Sequence, residues 1–247
     1  MNGSWLSLLF LLIVAWPAAL PAQECACKEL VIAIDVGHGL LDPGATSARG
    51  KPEFEFNLVM GAMIKDQLIR AGYLHTFAIV NPANLRERVK IAEEKLADLF
   101  ISIHHDSVQP YFLKSWEFNG KSQKFSDMFR GYSVLVSTRN MQYTKSLEFA
   151  KLVGKNFLDA GFTPAYHHSR KVMGGRHTML DEHLGVYQFD NLVVLKYAIM
   201  PAVLIEFGVI VHRDEELRLL ETETREKMVR AVVEAVNAFN NLDCPVP

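Results

Sequence analysis

Apolar, β-branched runs recur along the chain at residues 30–34, 75–80, 99–103, 132–136, 192–195 and 202–206. They are nearly continuous rather than alternating, the pattern of strands buried on both faces. Between them the apolar positions take helical spacing. Phe56, Met60, Ile64 and Leu68 recur every four residues, and Gly72 follows as a stop. A second helical pattern runs over about 85–96. A third, over 146–160, sets Leu147, Ala150, Val153 and Phe157 on one face; a last, over about 222–239, does the same with Met228, Val232, Val236 and Phe239. Strands alternating with helices predict a single α/β domain with a mostly parallel sheet.

Two stretches break the alternation. Residues 109–130 are polar and aromatic, with Tyr111, Phe112, Trp116, Phe118, Phe125 and Phe129. Residues 163–188 carry His167, His168, His177 and His183 beside Arg170, Lys171 and Arg176. Long loops in a compact domain are often lids or binding loops. Without metal-site spacing the four histidines read as exposed loop residues, and the basic run as a solvated loop.

Ionisable residues stand where the apolar runs break off. His38 follows the first run in Asp35-Val36-Gly37-His38-Gly39, His104 ends the third, and Glu206 ends Ala202-Val203-Leu204-Ile205. In parallel sheets ligands bind beyond the carboxyl ends of the strands, and all three residues fall there. Two imidazoles and a carboxylate suit a zinc ion with an open position, and a further carboxylate suits proton transfer. Glu53 and Glu55 compete for the acidic ligand, since two residues apart on a helix they face different ways. His105 neighbours His104 on a strand and points to the other face. Asp35 or Asp42 would orient the His38 ring, with a turn cap as the alternative role for Asp35. Glu206 sits in an apolar run, so it must be paired, protonated or functional.

Together these residues resemble the zinc-dependent N-acetylmuramoyl-L-alanine amidases of bacterial cell-wall metabolism, amidase type 3. The resemblance spans about 30–239. It rests on Ile34-Asp35-Val36-Gly37-His38-Gly39, Asp42-Pro43-Gly44-Ala45, Glu53 with Asn57-Leu58, Leu85, Arg88 and Ala92, Ser102-Ile103-His104, and Pro201 through Gly208. It implies His38, Glu53 and His104 as Zn2+ ligands and Glu206 as the catalytic carboxylate, choosing Glu53 over Glu55. It also implies a twisted sheet of about six strands with helices on both sides. The implied reaction is hydrolysis of the amide joining the lactyl group of N-acetylmuramic acid to L-alanine of the peptidoglycan stem peptide. Val36 replaces a proline common in the family, and His105-Asp106 stands where many members place Asn. In some relatives a carboxylate on an inserted helix plugs the metal until an activator protein displaces it. Glu117, Asp181 and Glu182 are the acids in 109–130 and 163–188 that could do so here, although a substrate-binding loop is the preferred reading. The rival functions are a zinc peptidase cutting within stem peptides and a catalytically silent wall-binding regulator.

Composition adds the compartment. With 26 basic and 28 acidic residues among 247, the chain has no excess positive charge, and a nucleic-acid partner is not predicted. The apolar run 6–15, followed by Leu20-Pro21-Ala22, reads as a signal peptide over 1–22; the run is short for a span of ~20 residues. This predicts a short tail at 23–28, a catalytic domain over 29–243 and a tail at 244–247. Export is the expectation, to the periplasm if the host has an outer membrane, with no stable membrane insertion once the signal is removed. Export also predicts a disulfide from Cys244 to Cys25 or Cys27, because chain termini often lie close.

Overall fold

The computed structural model describes residues 29–82, 84–168 and 177–242. The expected signal peptide, the three cysteines, Arg170, Lys171 and Arg176 lie outside them.

Four apolar runs form the strands expected of them: β1 (Ile32–Val36), β2 (Thr76–Ile79), β3 (Leu99–Asp106) and, after the hairpin described below, β6 (Ser133–Val136). The run at 202–206 becomes β9 (Ala202–Val209). Two further strands, β7 (Thr178–Asp181) and β8 (Val186–Gln188), come from the second irregular stretch. The sheet has seven strands in the order β2-β1-β3-β9-β6-β8-β7. Pairing is parallel except at β9–β6 and β8–β7.

Alternate residues of the buried strands feed two cores, as the two-residue period of a strand requires. Ile32, Ile34, Leu99, Ile101, Ile103, Val203 and Ile205 face one layer, built from α1 (Glu53–Arg70), α3 (Tyr143–Asp159) and α6 (Thr222–Leu242). Ala33, Phe100, Ala202 and Leu204 face the other, where α2 (Leu85–Glu94) and α4 (Val193–Tyr197) pack. The result is helix, sheet, helix, as expected.

The run at 192–195 was predicted as a strand and is helix α4 instead. Four apolar residues satisfy a buried strand or one helical turn equally well. Here Val194 and Leu195 sink side by side into the core beneath α2. A further difference lies at 109–130, which holds an antiparallel hairpin, β4 (Lys114–Phe118) and β5 (Lys121–Phe125), apart from the main sheet. Asn119 and Gly120 turn it, both with positive φ, the signature of a two-residue hairpin loop. Helix α5 (Arg213–Leu220), also missed in the sequence, follows β9; the His212 ring accepts its first free N–H groups, from Asp214 and Glu215.

Candidate metal centre

The sheet order places β1, β3 and β9 side by side, and the chemistry collects along their carboxyl-terminal edge. His38 follows β1 in a left-handed conformation, φ 64°. Glu53 is the first residue of α1, where the free N–H groups favour a negative charge. His104 and Glu206 occupy paired positions on β3 and β9, so strand register alone sets them next to each other. Both strands continue past these residues, to Asp106 and Val209. His104 and Glu206 therefore lie within the strands rather than at the ends, because backbone pairing continues after the apolar pattern stops.

Glu53 is the hub. Its Oε2 lies 3.1 Å from His38 Nε2, and its Oε1 lies 2.9 Å from His104 Nδ1. One donor atom from each of the three residues falls within 4.8 Å of the others, a spacing that a single ion can bridge. The backbone N–H of Ala45 donates to Oε2 and the amide of Asn57 to Oε1, fixing the carboxylate. Burial opposes its charge, but the hydrogen bonds from His104 and His38 prevail and hold its pKa well below the usual glutamate range. Burial likewise works to lower the pKa of His38, and the bond to Glu53 leaves it raised.

Two glycines make the cradle. A Cβ on Gly37 would stand 2.3 Å from the His104 ring, and one on Gly44, at φ 75°, would stand 2.6 Å from both Glu53 Oε2 and the His38 ring. Glu55, the competing acid, is exposed and pairs with Lys51 at 3.0 Å.

Glu206 is partly exposed as a residue, yet its Oε2 is sealed from solvent and has no hydrogen-bond partner among the described residues. Burial, then repulsion from Asp106 and Glu53, pushes its pKa well above the usual glutamate range. A sealed, unpartnered carboxylate oxygen on a residue paired with His104 makes Glu206 a candidate functional group.

Several expected roles change. Asp35 neither orients the His38 ring nor caps a turn. It is buried and accepts from Arg88 Nη1 at 2.7 Å and from Ser102 Oγ at 2.7 Å. Arg88 in turn donates to the carbonyls of Val36 and His38, so the pair fixes the backbone beneath the imidazole. Asp42 is exposed, its Oδ2 3.9 Å from His38 Nδ1. His105 packs between Phe56 and Phe207, its Nδ1 2.8 Å from Asn57 Oδ1, and burial drives its pKa down to about 3. It is a neutral core residue.

Of the four loop histidines only His183 is exposed. His167 is buried, and His168 and His177 are half-buried, because the Asp106 carboxylate at the end of β3 gathers His167 and His168 inward. Glu117 and Glu182 are exposed, and Asp181 accepts from the backbone of Leu184. Among the described residues, none of these three acids belongs to the His38–Glu53–His104 group.

A family model described as N-acetylmuramoyl-L-alanine amidase matches residues 32–238. The chain belongs to this family. Among curated relatives, the amidase AmiC of Neisseria meningitidis serogroup B is 27% identical over 232 residues, 87% of this chain. The match takes in 53% of AmiC, so the chain spans about half the length of that relative. Among solved structures, the amidase Ami1 of Mycobacterium smegmatis superposes with a TM-score of 0.66 at 19% identity, covering 88% of this chain and 99% of Ami1. The catalytic domain of the amidase CwlV of Bacillus (Paenibacillus) polymyxa var. colistinus gives 0.63 at 24% identity, covering 87% and 99%. At these identities the two structures establish the amidase fold. The family match itself takes in all four residues of the site, from His38 to Glu206.

Proposed function

We propose that the protein is a zinc-dependent amidase that hydrolyses the bond between the lactyl group of N-acetylmuramic acid and L-alanine of the peptidoglycan stem peptide. The observation that carries this reading is the convergence of His38 and His104 on the Glu53 carboxylate, with Glu206 paired beside His104. Two imidazole nitrogens and a carboxylate oxygen are the donor set of a catalytic zinc site that keeps one position open. Their arrangement around a glycine-lined cradle supports Zn2+ as the occupant. When bound, the ion would supply Lewis acidity, able to polarise an amide carbonyl and bring the pKa of water toward ~7.

Glu206 does the proton work. Burial, with repulsion from Asp106 and Glu53, raises its proton affinity above that of a free glutamate, so a carboxylate that takes a proton as base can hold it for return as an acid. Its carboxylate accepts a proton from the attacking water as the water oxygen bonds to the carbonyl carbon. The same carboxyl group then delivers that proton to the departing nitrogen as the carbon–nitrogen bond breaks. The products are the lactyl carboxylate and a peptide with a free L-alanine amine. His38, Glu53 and His104 would hold the ion, and Arg88 holds the backbone beneath His38.

The substrate lies outside the cytoplasm, and export, to the periplasm of a host with an outer membrane, belongs to the same proposal. No helix among the described residues is long and apolar enough to cross a membrane.

Glu206→Gln tests the assignment. It should retain zinc while lowering kcat by about 10²–10⁴-fold, the usual contribution of a positioned general base. His38→Ala should instead lose the ion. Near-normal turnover by Glu206→Gln would remove that carboxylate from the mechanism.

A further inference from the structure

We propose that Asp106, His167 and His168 form a second divalent-cation site, separate from the His38–Glu53–His104 centre and suited to a borderline transition ion such as Zn2+. His168 Nε2 lies 2.6 Å and His167 Nε2 3.1 Å from the same oxygen, Asp106 Oδ2. One donor atom from each of the three falls within 4.8 Å of the others. This repeats the first centre closely: two imidazoles meet at one carboxylate, there Glu53 and here Asp106.

An ion pair between His168 and Asp106 would account for only part of this arrangement. His167 is 8% exposed, and neither of its ring nitrogens has a hydrogen-bond partner among the described residues. Its Nε2 reaches Asp106 Oδ2 without the alignment of a hydrogen bond. Buried polar nitrogens are rarely left unsatisfied, and an unexplained one points to an ion or water. A proton on His168 serves one imidazole, whereas a cation engages the lone pairs of both. Imidazole and carboxylate together suit Zn2+ and its neighbours rather than Mg2+ or Ca2+, which prefer oxygen alone.

The surroundings fit a ligand-bearing site. The His167 ring stacks on Phe129, centroids 5.0 Å apart, and the His168 ring meets the edge of Tyr187, which fixes both imidazoles. The three residues line a cleft of about 310 Å³ that Gln109 and Phe189 also wall. A cation held there keeps a face toward the cleft, open to a carboxylate or amide of a bound peptide.

The site is tested by metal stoichiometry. The full chain is stripped with chelator and titrated with Zn2+, and bound equivalents are counted by native mass spectrometry. The wild type should bind two equivalents, and His38→Ala and His168→Asn one each. The double variant should bind none. His167→Gln, with a cooperative unfolding transition confirmed for each variant, should weaken the second equivalent at least tenfold. A single equivalent in the wild type, lost in His38→Ala and kept in His168→Asn, would overturn the second site. Loss of an equivalent in His168→Asn alone would leave it standing and instead contradict the first centre.

Discussion

Asp35 and Arg88 are both almost fully buried, and their 2.7 Å contact joins residues 53 positions apart in sequence. Arg88→Met would fill similar volume but leave Asp35 with Ser102 alone and release the carbonyls of Val36 and His38. Breaking a buried pair by removing one partner costs about 3–5 kcal/mol. Urea denaturation should show that loss, and zinc affinity should fall by about 10–100-fold, as for other groups that support metal ligands. Unchanged stability and metal content would contradict the role given to this pair. At this scale the sequence exposed the ionisable residues of the site but not their partners. A carboxylate at the end of an apolar run can be seen in one dimension; Arg88 reaching Asp35, or Asp106 drawing in His167 and His168, depends on the folded chain. That is why Asp35 was assigned to the wrong neighbour and His167 to the surface. Glu53 could be separated from Glu55 only by resemblance, since the helix start that buries one and exposes the other follows from tertiary packing.

Helix α5 ties the site's surroundings together. Glu216 receives Ser47 Oγ at 2.7 Å and Arg49 at 2.8 Å, anchoring the turn before α1. Glu215 accepts from the backbone N–H groups of Gly131 and Val209, joining the start of β6 to the end of β9. Burial, partly offset by those two bonds, raises the Glu215 pKa to about 7. The folded state therefore keeps this proton to higher pH than the unfolded chain. The resulting stability is complete below about pH 4.5 and is lost as pH rises through 7. Between those limits the wild type should lose about 3 kcal/mol relative to Glu215→Gln, at 1.36 kcal/mol per pKa unit. Denaturation of both proteins at pH 4.5 and 7.5 measures it; parallel behaviour would refute the assignment. Long elements with one clear period were legible: α1, α3 and α6, and the buried β1, β3 and β9. The four-residue strands β2 and β6 were legible too, but the run at 192–195 carries too few positions to separate a strand from a helical turn. The hairpin had a readable signal in Asn119-Gly120 and in the alternation of Trp116 and Phe118 with exposed Ser115 and Glu117. The density of aromatic residues masked it. Those rings pack against the body of the protein, Trp116 Nε1 donating to Ala48 O at 2.8 Å with the Arg49 and Arg213 guanidinium groups over its ring.

Across the whole molecule, strand order does what no single segment can. Residues 38, 53, 104 and 206 are spread over most of the chain, and the β1-β3-β9 neighbourhood brings them to one edge. That edge was legible because buried parallel strands announce themselves and ligand sites lie at their carboxyl ends. The antiparallel β9–β6 step was not, because sheet direction beyond β9 depends on connections through irregular segments. The most direct measurement of the central claim is mass spectrometry of muropeptides digested by the zinc-loaded protein, with a chelator-treated control. The account predicts free stem peptides bearing an L-alanine amino terminus, and no such product after chelation. Fragments cut within the stem peptide, or release of the same products without metal, would contradict it.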